Sequence, residues 1–195
     1  MKTIVLMITL LLLSFPTVAD DDWSLTDQDI DNLLSALYEV TALTSGIESP
    51  DVNPPNYDFT NPQAAIDYMV AMFEPKTYQR NIAQELTFYA NKIGQEMLLN
   101  AIRPYTYTKL ESFARDSALL FSVSMRLSLE TAHKQAGQPN HPILGRIRAV
   151  QSEVPDTTIE AIRRNFDAIV EFDEATDSGL ELNTQPWNTY TGARE

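Results

Sequence analysis

This chain has no cysteine, only two histidines and six glycines among 195 residues. Without thiols there can be no disulfide framework, no thiolate metal site, no c-type haem attachment and no lipobox anchor, so burial alone must hold the fold. No Asn-x-Ser/Thr sequon occurs. The scattered glycines form no phosphate-cradling loop, and there is no Gly-x-Ser-x-Gly nucleophile elbow. Cations are scarce too, 14 against 27 carboxylates, for a net charge of −13. Such a balance sets aside nucleic acid and anionic lipid surfaces as partners, because approach is repulsive before contact. No stretch alternates apolar and polar residues between hairpin turn signals.

What is present begins with an export signal. Lys2 supplies a positive start, Ile4 to Leu13 is apolar except at Thr9, Pro16 breaks the helix, and Thr17-Val18-Ala19 offers the small residues of a cleavage site. The apolar run is too short for a stable transmembrane anchor, and Asp20-Asp21-Asp22 follows it directly. The expectation is a signal peptide over 1–19, a mature chain from Asp20 that is not membrane-inserted, and a periplasmic or secreted destination. The mature length suits one domain, 20–178, followed by an irregular extension over 179–195 that carries Gly179, Pro186 and Gly192.

Apolar spacing is helical almost throughout. Ile30, Leu33, Leu34, Leu37 and Val40 follow the i, i+3, i+4, i+7 pattern, with Thr26 as N-cap and Gly46 as C-terminal stop. A loop rich in proline and asparagine spans 50–58. Asn61-Pro62 then opens a short helix whose apolar face is Ile66, Met69, Val70 and Phe73. A long helix is expected from about Lys76 to Ile102, with Tyr78, Ile82, Leu86, Tyr89, Ile93 and Met97 as its seam. A second long helix follows from a capping box at Thr108–Glu111 to Gly137. A short helix at 143–150 and a last one, opened by a second box at Thr157–Glu160, complete an all-α bundle of five to six helices, two of them long. The aromatics Tyr78, Phe88, Tyr89, Tyr105, Tyr107, Phe113 and Phe121 read as core and core margin.

Charge is unevenly spread. Residues 20–102 hold 14 acidic against 3 basic residues, 103–148 hold 7 basic against 3 acidic, and 149–195 hold 10 acidic against 3 basic. The central basic stretch reads either as a helix packed between acidic neighbours or as a docking stripe for an acidic partner.

Candidate chemistry is sparse. Glu130 and His133 have the Glu-x-x-His spacing that places two metal ligands on one helix face, but the di-iron pattern needs that motif twice. His133 beside Lys134 also fits a cation at a helix C-terminus. The acidic run Asp173–Gly179 aligns poorly with a calcium loop, since Gln185 falls where a bidentate glutamate is required. No catalytic residue and no cofactor is implied.

The stretch Phe88-Tyr89-Ala90-Asn91-Lys92-Ile93-Gly94-Gln95 resembles a motif, Phe-Tyr-x-Ser/Thr-Pro-x-Gly-Gln-Lys, of a family of uncharacterised exported bacterial helical proteins. Asn91 replaces the small hydroxyl residue and Lys92 the proline. The resemblance covers about a dozen residues, up to Leu98, and implies an all-helical periplasmic protein with no assigned activity.

Together these features favour an exported, non-catalytic helical protein that binds another protein, with a cationic partner matching its charge. The alternatives are a metal protein or enzyme using Glu130 and His133, or a small-molecule binder with a helical cavity lined by Met69, Met72 and Met97.

Overall fold

The computed structural model describes residues 23–48 and 61–176. The expected signal peptide, the 50–58 loop and the C-terminal extension lie outside the described residues. Within them the chain is all-α: α1 (Asp27–Thr44), α2 (Pro62–Ala71), α3 (Pro75–Ile93), α4 (Gln95–Ile102), a 3-10 turn (Arg103–Tyr105), α5 (Leu110–Gln135), α6 (Pro142–Val150), α7 (Asp156–Arg164) and α8 (Phe166–Thr176).

Two of the expected helices are split, which raises the count from five or six to eight. The first break falls at Gly94, which has φ +98, a conformation that costs a side-chain-bearing residue dearly. The break changes which face is buried. A continuous helix would carry the seam from Ile93 to Met97, yet Met97 is 50% exposed, while Leu98 and Ile102 are fully buried. The second break is at Asn165, whose side-chain amide donates to the Ala161 carbonyl at 2.9 Å and to Asp27 at 2.7 Å.

Helix starts divide in the same way. Thr26 caps α1 as expected, and Asp29 completes a reciprocal box: Thr26 N–H donates to the Asp29 carboxylate at 2.9 Å, and Asp29 N–H donates to the Thr26 hydroxyl at 3.2 Å. Asn61 caps α2 ahead of Pro62. The other two expected boxes do not form. The α5 cap is Lys109 and the α7 cap is Pro155, neither with a side-chain bond, so both threonine–glutamate pairs are out of register with the true helix starts. Thr158 has another task. It is fully buried, its hydroxyl accepts the Leu25 N–H at 3.1 Å and donates to the Trp23 carbonyl at 3.3 Å, and so it fastens the segment preceding α1 onto α7.

The organising element is α5. From Phe113 to Leu127 nearly every side chain is buried, Ser117, Ser122 and Ser124 completely so. A helix enclosed on all sides is the centre of a domain, and its serines let neighbouring backbones come close. α3 lies along it over the greatest length. α1, α4, α7 and α8 close the main core around Ile30, Leu33, Leu98, Ile102, Ile162 and Ile169. A smaller cluster of Val70, Phe73 and Ile147 joins α2 and α6 to the far end of α5. Of the expected α2 face only Val70 and the nearby Phe73 are buried; Ile66 and Met69 are 36% and 39% exposed, because α2 meets little besides α6.

Gln151 pins the junction between α5, α6 and the end of α2. Its amide donates to the carbonyls of Phe73 and Ser122, both at 2.9 Å, and its oxygen accepts from Arg126 at 3.2 Å.

Candidate binding groove

The cations of the chain are largely used internally. Arg164 bonds Asp27, Arg146 bonds Asp67, Lys76 bonds Glu153, and Arg148 bonds Glu130, each joining separate helices or their ends. Five of the seven basic residues between 103 and 148 sit in ion pairs: Arg103, Arg115, Arg126, Arg146 and Arg148. Arg103 and Arg146 reach Glu96 and Asp67 in the acidic stretch before them, whereas Arg115, Arg126 and Arg148 pair with Asp116 and Glu130 inside the basic stretch itself. Arg164 and Arg146 hold the carboxyls of Asp27 and Asp67 below the ordinary carboxylate range through charge-assisted hydrogen bonds.

Glu130 and His133 take separate partners. The Glu130 carboxylate accepts from Arg148 Nε at 2.8 Å and lies 3.3 Å from Arg126 Nε in an ion pair. His133 stacks on His141, ring centroids 4.6 Å apart and planes within 24°. Its Nδ1 has no hydrogen-bond partner, and burial followed by the neighbouring His141 lowers its pKa. In-plane lone pairs on stacked imidazoles run side by side instead of meeting at one point. Among the described residues no three metal-ligating side chains converge.

The methionines expected to line a cavity are dispersed. Met69 and Met97 are exposed on different helices, and Met72 caps the end of α2. None lines the cavity that opens between the N-terminal helix α1 and α3, α5 and α8.

That cavity is an open groove of about 490 Å³, framed by α1, α3, α5 and α8. α1 contributes Thr41 and Thr44, and the turn after it is made possible by Gly46 at φ +82. α3 contributes Tyr78, Ile82, Glu85 and Tyr89; α5 contributes Ser117 and Phe121; α8 contributes Phe172 and Thr176. The aromatic rings brace one another. Phe121 stacks on Phe172 at 6.4 Å and meets the edge of Tyr78 at 6.3 Å, while Tyr38 packs edge-on against Phe172 at 4.9 Å.

Charge on the groove lining is of one sign, and threonine and tyrosine side chains make the rest of the lining about as polar as it is apolar. Tyr89 donates to the Glu85 carboxylate at 3.0 Å, and no lysine or arginine lines the groove. Burial, reinforced by the carboxylates of Glu85 and Asp173, pushes the Tyr78 hydroxyl up to about 12. Ser117 is completely buried, and its hydroxyl has no hydrogen-bond partner. The size falls within the range of natural ligand pockets, about 300–1,000 Å³, and the lining is more polar than theirs usually is.

The α3 seam is the signal in the sequence that pointed here, and its Tyr78 and Ile82 are half-buried at the core margin. Glu85, Ser117 and Thr41 gave no separate signal, because helices far apart in sequence bring them together.

Fold and groove define an all-α domain with an open groove of aromatic, hydroxyl-bearing and acidic side chains. No protein-family model, curated protein or solved structure matches this chain.

Proposed function

We propose that this is an exported, non-catalytic helical protein that works by binding a cationic protein partner in the periplasm or outside the cell. The observation that carries the reading is how charge is used. Eight ion pairs engage most of the described cations inside the domain, so the chain's excess carboxylates are what it offers to a partner. An acidic protein steers cationic partners toward itself over roughly one Debye length, about 8 Å at physiological salt. Among the described residues no helix is long and apolar enough to cross a membrane.

A metal or catalytic role for Glu130 and His133 has less support, because the carboxylate already serves two guanidiniums and the imidazole is stacked. The start of the chain supports export through its apolar run and small-residue cleavage site; intact mass spectrometry of protein from a secreting host should give a mature N-terminus at Asp20.

The binding role is tested by capture from native envelope or culture medium, followed by association kinetics across a salt series. The expected partner is basic, and its on-rate falls by about an order of magnitude or more from low to high salt while dissociation changes less. An acidic partner, or an on-rate indifferent to salt, would refute the reading.

A further inference from the structure

We infer that the groove between α1, α3, α5 and α8 is where that partner docks, taking an amphipathic cationic helix anchored by an aromatic side chain with a polar tip. The inference rests on the binding role proposed above and assigns it a place.

Three observations converge on this occupant. The aromatic walls around Phe121 and Phe172 leave an open space of about 490 Å³, which suits bulky side chains from one face of a helix. Glu85 supplies negative charge on the lining and Asp173 adds to the field at Tyr78, with no cation on the lining to oppose them. Lysines or arginines flanking an apolar anchor would meet these carboxylates, whereas acidic segments would be repelled. Lastly, the part-exposed Thr41 and Thr176 stand on the lining beside these rings, and a hydroxyl oxygen accepts from an indole N–H or a phenol O–H carried on an otherwise apolar ring, where leucine has nothing to donate.

The chain's own neighbouring segments are the chief competitors, since Ile47 and Thr176 both line the groove and the sequence continues from each. Charge argues against them. Residues 49–60 contain Asp51 and Asp58 and no cation, and residues 177–195 carry Asp177, Glu181 and Glu195 against Arg194 alone.

The test uses the full mature chain and a fluorescein-labelled 14-residue helical peptide of leucine and lysine with one central tryptophan, read by fluorescence polarisation. Control peptides replace every lysine by glutamate, or the tryptophan by leucine. The lysine–tryptophan peptide should bind, the glutamate peptide should not, and the leucine control should bind about three- to tenfold more weakly. On the protein side, Thr41→Trp fills the groove from the half-buried face of α1 and should weaken binding at least tenfold, with circular dichroism and Tm confirming a folded domain. Glu85→Gln keeps the shape, removes the charge, and should weaken binding about two- to fivefold. Equal binding by the Thr41→Trp variant, or of the glutamate peptide, would overturn the inference. So would tighter binding by a Leu182→Ser/Trp187→Ser variant, which would make the chain's own C-terminal segment the occupant. A native cationic partner held as tightly by Thr41→Trp as by the unmodified chain would also overturn it, while leaving the binding role intact.

Discussion

Thr157 and Thr158 are adjacent and chemically identical, and the structure assigns them opposite importance. Thr157 is exposed in the first turn of α7, whereas Thr158 is fully buried and holds both the Leu25 N–H and the Trp23 carbonyl. Thr158→Val keeps the shape and deletes the hydroxyl, leaving a buried donor and a buried acceptor unpartnered. At about 1–2.5 kcal/mol for each stranded group, the expected loss is about 2–5 kcal/mol. The upper end applies if Trp23 and Leu25, each 3% exposed, stay in place; the lower end applies if the segment lifts and regains water. Thr157→Val removes a solvated hydroxyl and should change stability by less than about 0.5 kcal/mol. Urea titration followed by circular dichroism at 25 °C separates the two. With m near 2 kcal/mol/M for a domain of this size, Thr158→Val should lower the midpoint by about 1–2 M at unchanged slope. Equal costs for the two valine variants, or a larger cost for Thr157→Val, would refute the buried bridge and restore Thr157 as the helix cap.

Gly94→Ala discriminates between one long helix and two: Ala should gain about 1 kcal/mol inside a continuous helix but lose about 1–3 kcal/mol at φ +98, although nothing lies within 4 Å of the added Cβ, and thermal unfolding gives the sign. His133 has a folded pKa below its unfolded value, so it contributes stability that is fully present above about pH 6.5 and is lost as pH falls through the folded value; His133→Gln should flatten the decline in Tm between pH 7 and 5.5, and an unchanged slope would refute the assignment. EDTA should leave Tm unchanged, whereas a fall of several degrees that zinc, iron or manganese reverses and His133→Ala abolishes would install Glu130 and His133 as a metal site.

Helical periodicity, the Thr26 and Asn61 caps and the stops at Gly46 and Gly137 were legible in the residues, because each depends on neighbours within about one turn. The same local reading gave the α3 seam as far as Ile93. It placed two capping boxes wrongly, since a threonine–glutamate pair states only that a box is possible. The actual start of a helix is set by what its first turn packs against. It also ran α3 through Gly94. Glycine is tolerated within helices at a modest cost, and only the burial of Leu98 and Ile102 instead of Met97 shows that the chain gains by breaking there. Composition determined that the protein would be acidic and free of thiols, and the spacing of its apolar residues that it would be all-α. The tertiary structure alone decided where that acidity is expressed, because ion pairs such as Arg164–Asp27 and Arg146–Asp67 join residues more than 75 positions apart. The groove has the same origin. Thr41, Glu85, Ser117 and Phe172 meet only once α1, α3 and α8 have packed around α5, and no local pattern encodes a contact whose partners lie on separate turns of separate helices.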